Sequence, residues 1–77
     1  MITNKQIEEL YKDNKVKKHE HFYYYSDIDA TLENILKVND LQIALSEWWE
    51  VYHSRQSQLD ENCIPIITLE ECYSMGL

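Results

Sequence analysis

Residues 40–59, DLQIALSEWWEVYHSRQSQL, constrain this chain more than any other stretch. Leu41, Leu45, Trp48, Tyr52, Arg55 and Leu59 recur at alternating steps of four and three, which places them along one side of a helix. Ala44 and Val51 flank that line and Trp49 widens it, so the apolar surface is broader than a narrow seam. A helix this apolar needs partners, and the remaining residues must supply them. The single glycine, Gly76, lies second from the end, so glycine turns are lacking elsewhere. That favours helices over a fold built from several hairpins.

Thr3 and Gln6 have the spacing of a capping box, opening a helix that runs to about Asp13 with Ile7, Leu10 and Tyr11 on its apolar face. Asp13 and Asn14 end it. Residues 15–26 are rich in aromatics and read as one strand, with Val16, Phe22 and Tyr24 on one face. Lys17, His19, His21, Tyr23 and Tyr25 take the other. Ser26 or Asp27 caps a second helix over 28–38, with Asp29 early in it and Ile28, Leu32, Ile35 and Leu36 as its buried stripe. Glu33 and Lys37 form an i, i+4 ion pair on that helix. Asn39 and Asp40 turn the chain into the central helix.

A polar loop follows over 57–63. Residues 64–67, Ile-Pro-Ile-Ile, are extended, and Pro65 confines them to a sheet edge because it has no N–H to donate. Thr68 with Glu71 forms a second capping box, opening a last helix to about Met75. The expected fold is therefore α+β and predominantly helical, one small domain over 1–77 in the order α-β-α-α-β-α. Pairing of the extended segments would give a minimal two-stranded sheet, and an all-α bundle is the alternative.

Charge is unevenly distributed. Of a net −7, residues 1–18 hold five lysines against three acids, a net +2, while residues 19–77 hold Lys37 and Arg55 against eleven acids, a net −9. An acidic body of this kind repels phosphate backbones at long range, so direct nucleic-acid binding is not expected. It is drawn instead to basic surfaces. The polar N-terminus lacks the pattern of an export signal, and no run approaches the ~18 apolar residues of a membrane span. With two cysteines and no such signal, the expected setting is a reducing cytoplasm with free thiols.

His19, His21, Cys63 and Cys72 are metal-ligand types, but eight residues separate the cysteines where structural zinc sites use two to four. No metal or cofactor is expected. Phosphate-binding glycine loops, nucleophile elbows and zinc-protease motifs are all lacking, and a chain of 77 residues has little volume for a substrate pocket. No enzymatic activity is expected.

The aromatics carry most of the functional signal. Three consecutive tyrosines, Tyr23, Tyr24 and Tyr25, cannot all enter one core, because neighbouring side chains point apart in a strand or a helix. Of Trp48 and Trp49, one ring can take the core and the other lies toward its edge. Trp and Tyr are common binding anchors, and Glu20, Asp27, Glu47 and Glu50 border these rings. The candidate partner-binding set is Tyr23, Tyr25, Trp49 and Tyr52 as anchors, with Asp27, Asp29, Glu47 and Glu50 steering. In size, acidity and aromatic content the chain resembles the small inhibitors encoded by phages and mobile elements, including anti-CRISPR and nucleic-acid-mimic proteins. That likeness is one of type and carries over no residue. It implies a non-catalytic protein that blocks a basic surface on a protein partner, such as one that handles nucleic acid. The alternative is an obligate helical homodimer with a structural or regulatory role, whose folding would depend on concentration.

Overall fold

The computed structural model describes residues 2–26 and 45–74. Helix α1, Asn4–Lys12, opens on the anticipated capping box: Thr3 Oγ1 accepts from Gln6 N at 3.2 Å, and Thr3 N donates to Gln6 Oε1 at 2.8 Å. It closes on a Schellman turn. Asn14 adopts φ 60°, its N–H donates to Tyr11 O, and Lys15 N–H reaches back to Leu10 O at 2.9 Å. Asparagine tolerates this left-handed conformation better than most residues, so Asn14 does the work glycine usually does.

The aromatic stretch departs from the expectation. Residues 15–26 do not run as one strand; they fold back as a hairpin of β1, Lys17–His19, and β2, Phe22–Tyr25. Glu20 takes φ 54° in the two-residue turn Glu20-His21, although primed hairpin turns favour Gly or Asn there. Cross-strand pairs Lys17↔Tyr24, Lys18↔Tyr23 and His19↔Phe22 then reassign the faces. Lys17 and His19 share a face with Phe22 and Tyr24, while Lys18 joins Tyr23 and Tyr25. Val16 packs in the same core as Tyr25, not with Phe22 as a continuous strand would have it.

Because the Glu20 side chain is 59% exposed, little packing is at stake in its turn. Glu20→Gly is expected to stabilise the protein by about 0.5–1 kcal/mol, the left-handed penalty less the extra entropy glycine loses on folding. Urea midpoints of the two proteins check this, and a lower midpoint for the glycine variant would contradict it.

Strand β3, Ile64–Pro65, pairs antiparallel with β2 through Tyr24↔Pro65 and Tyr25↔Ile64, and Ile66 N–H continues the ladder to Tyr23 O at 2.9 Å. The sheet is thus three-stranded, in the order β1-β2-β3, where two strands were expected. Both edges are guarded: β1 presents exposed Lys17 and Lys18, and β3 carries Pro65. The edge position expected of Pro65 is the one it occupies.

Helix α2, Leu45–Gln56, sends Trp48 and Tyr52 into the core. Trp48 is fully buried, with Tyr52 beside it, against Tyr25, Ile64, Ile66, Ile67, Ile7, Val16, Ile2 and Cys72. The helix ends three residues before Leu59, which lies in the following turn and off the predicted stripe. Helix α3, Leu69–Ser74, begins at the second capping box, where Glu71 N donates to Thr68 Oγ1 at 3.2 Å and Thr68 N donates to Glu71 Oε1 at 3.3 Å. The helix expected over 28–38, its Glu33–Lys37 pair and the turn at Asn39 and Asp40 lie outside the described residues.

Candidate functional site

Arg55 on α2 stitches that helix to the segment after β3 and to α3. Arg55 Nη1 donates to Ile66 O at 2.8 Å and to Glu71 Oε1 at 3.2 Å, while Nη2 donates to Glu71 Oε2. The guanidinium also lies 5.3 Å from the centre of the Phe22 ring, within cation–π range. Burial lowers the Arg55 pKa, but a guanidinium stays protonated at any working pH. This pair is structural in character: it fixes α2 against the segment that launches α3.

One turn earlier the helix carries a run of aromatic rings. Trp48 and Tyr52 stack with centroids 5.1 Å apart, Trp49 and Tyr52 stack at 5.2 Å, and His53 meets the Trp49 ring edge-on at 4.6 Å. The rings descend from core to surface: Trp48 and Tyr52 are buried, Trp49 is half-buried and His53 is exposed. Glu47 and Glu50 flank the Trp48-Trp49 pair in sequence and both are exposed, as are Ser54 and Ser57. Glu50 stands next to Trp49, whereas Glu47 lies about 160° around the helix from it. The surface α2 shows is therefore an aromatic ledge with a carboxylate at its edge.

No family model, curated protein or solved structure matches this chain. The reading of the surface rests on its own residues.

Of the eight anticipated partner-binding residues, Glu47 and Glu50 are exposed and Trp49 half-buried on α2, with Glu50 next to Trp49 and Glu47 about 160° around the helix from it. Tyr52 is buried, where it supports Trp49 by stacking. Tyr25 is buried in the core and stands on β2, apart in sequence from α2. Tyr23 is half-buried on β2, its ring 5.4 Å from that of Tyr11. Asp27 and Asp29 lie outside the described residues. Sequence reading missed His53, whose contact with Trp49 follows from their i, i+4 spacing.

Burial pushes the Tyr25 and Tyr52 phenols above the ordinary tyrosine range, because the buried site disfavours a phenolate. Each is held neutral in the folded protein, so the stability it contributes is complete below about pH 10 and falls as pH rises through the raised folded value. Alkaline unfolding coupled to release of phenolate absorbance is the expected result. Ionisation of every tyrosine below the unfolding transition would contradict it.

A cleft of about 230 Å³ lies elsewhere, lined by Asn4, Ile7, Phe22, Ile66, Thr68 and Glu70 among others. Asn4 Nδ2 and Glu70 Oε2 bond across this region. Cys72 is buried, and burial pushes its thiol up although a backbone hydrogen bond opposes the shift. Among the described residues no three His, Cys, Asp or Glu side chains converge as metal ligands, and no helix is long and apolar enough to cross a membrane.

Proposed function

We propose that this protein is a non-catalytic acidic binding module that blocks or regulates a protein partner through a basic surface on that partner. The observation that carries the reading is the α2 ledge: a half-buried Trp49, stacked on buried Tyr52, with exposed Glu50 next to it in the chain. A ring held from beneath loses little side-chain entropy on binding, which suits an anchor. The surrounding segment, net −9 over residues 19–77, supplies attraction to a basic partner and accelerates encounter. A phage or mobile-element inhibitor of anti-CRISPR or nucleic-acid-mimic type, acting on a protein that handles nucleic acid, is the specific form this reading takes.

The test is a pull-down from host lysate at low and high salt, with wild type beside a Trp49→Ala, Glu50→Lys variant. One basic protein is expected on the wild type at low salt, released at high salt, and reduced about tenfold or more on the variant. Circular dichroism should report the variant folded, since Trp49 is half-buried and Glu50 exposed. Collapse of the fold in the variant would assign these residues to the core and end the site assignment.

A further inference from the structure

The opposite charge gathers at the other pole of the sequence. Between residues 12 and 18 stand Lys12, Lys15, Lys17 and Lys18 against Asp13, a net +3 on a chain that is otherwise strongly acidic. All four lysines are exposed, and among the described residues none has an ion-pair partner, the pairs there being His19–Glu20 and Arg55–Glu71. They surround the Schellman turn and the edge strand β1. Three of these lysines have a local reason to be there, since Lys12 complements the C-terminus of α1 and Lys17 and Lys18 guard an edge. None of those reasons accounts for the aromatic rings beside them.

Tyr11, in the last turn of α1, is 45% exposed, one of the largest exposed apolar side chains described. Its ring meets Tyr23 edge-on at 5.4 Å, and Lys18 Nζ sits 5.4 Å from the centre of the same Tyr23 ring. Two phenol rings and an ammonium thus form one ledge, with Lys12 and Lys15 nearby in the chain and Lys17 on the opposite face of the hairpin. We infer that this ledge is a contact surface for a single-stranded nucleic acid, with Tyr11 stacking on a base and the lysines meeting phosphates. Aromatic stacking beside cations is the chemistry by which strands are held without sequence preference. The four cations are all lysine, point charges suited to phosphates, and none is the arginine fork that grips a carboxylate in two places. Net charge opposes such binding at long range, but at physiological salt charges beyond about 8 Å are screened, so the patch acts locally. The inference is independent of the acidic ledge on α2 and needs no protein partner.

Fluorescence anisotropy with a labelled short oligothymidylate, on the full chain, tests it. Binding is expected near 0.1 M salt, where charges beyond about 10 Å are screened, with log K falling as salt rises further at a slope of roughly −2, about 0.7 for each of Lys12, Lys15 and Lys18. Lys18→Gln should weaken binding and flatten the slope by about 0.7, and Lys17→Gln, on the opposite face of the hairpin, should do less. Lys5→Gln makes the same charge change roughly 10 Å along α1 from Lys12 and should leave the slope unchanged. Tyr11→Ala should lose about tenfold while Tyr11→Phe keeps the affinity. Absence of binding near 0.1 M salt overturns the inference. So does equal weakening by Lys5→Gln, equal affinity for Tyr11→Ala, or a polyglutamate peptide that binds as tightly as the oligonucleotide, which would make the patch an acidic-protein surface.

Discussion

Replacement of Trp48 by alanine is expected to remove most of the stability of this protein at 25 °C. Its side chain is fully buried and stacks on Tyr52 at the centre of the core. Truncating a buried tryptophan to alanine costs about 3–5 kcal/mol, through lost transfer energy and the cavity left behind. Domains are stable by about 5–15 kcal/mol, and a chain of 77 residues belongs near the bottom of that range. Trp48→Phe should be far milder. The indole Nε1 is buried with no hydrogen-bond partner among the described residues, a situation that costs about 1–3 kcal/mol, and phenylalanine removes that donor while keeping a ring in the stack. Urea unfolding followed by circular dichroism reads both variants. An alanine variant within about 1 kcal/mol of wild type would show that the core does not depend on α2.

Arg55→Ala is expected to cost about 2–3 kcal/mol. The Arg55 side chain is 17% exposed and its partner Glu71 33%, so the loss falls below the 3–5 kcal/mol of a fully buried pair. The substitution strips a donor from Ile66 O and both donors from the Glu71 carboxylate. Arg55→Lys should recover little, because one ammonium cannot serve the carbonyl and both carboxylate oxygens in the fork geometry. Glu71 also accepts from Thr68 N and Thr68 Oγ1, each at 3.3 Å, so Glu71→Ala removes the α3 cap as well as the ion pair. A double-mutant cycle between Arg55 and Glu71 should give a coupling of about 1–2 kcal/mol, and strict additivity would contradict the network.

Much of this architecture could be read before the coordinates. Both capping boxes declare themselves through Thr followed three residues later by Gln or Glu, a local pattern with a local cause. The Trp48, Tyr52, Arg55 stripe was visible because helical periodicity survives any tertiary context, and the division between a core Trp48 and an edge Trp49 follows from it. The hairpin was hidden. Its turn carries Glu20-His21 where Asn-Gly would announce a reversal, and the positive φ of Glu20 is imposed by cross-strand pairing, not by its own preference. Folding back across a two-residue turn pairs odd positions of β1 with even positions of β2, so face assignments made on a continuous strand were exchanged. Among the anchors, Tyr52 is buried beneath Trp49, a placement its membership of the apolar stripe already implied, and Tyr25 pairs with Ile64 on a third strand that the short, proline-bearing 64–67 segment signalled only weakly. Periodicity identifies the buried side of an element but not which strand will cover it.

The measurement that bears most directly on the acidic ledge is photo-cross-linking in host lysate, with a benzophenone amino acid replacing Glu50 in one protein and Lys5 in another. Both positions are exposed, so neither replacement disturbs the core. The expected result is one cross-linked adduct from position 50, to a basic protein, lost at high salt and missing from position 5. Adducts of equal strength from both positions, or a position 50 adduct to a second copy of this chain, would contradict a partner-binding role for the Trp49 and Glu50 surface.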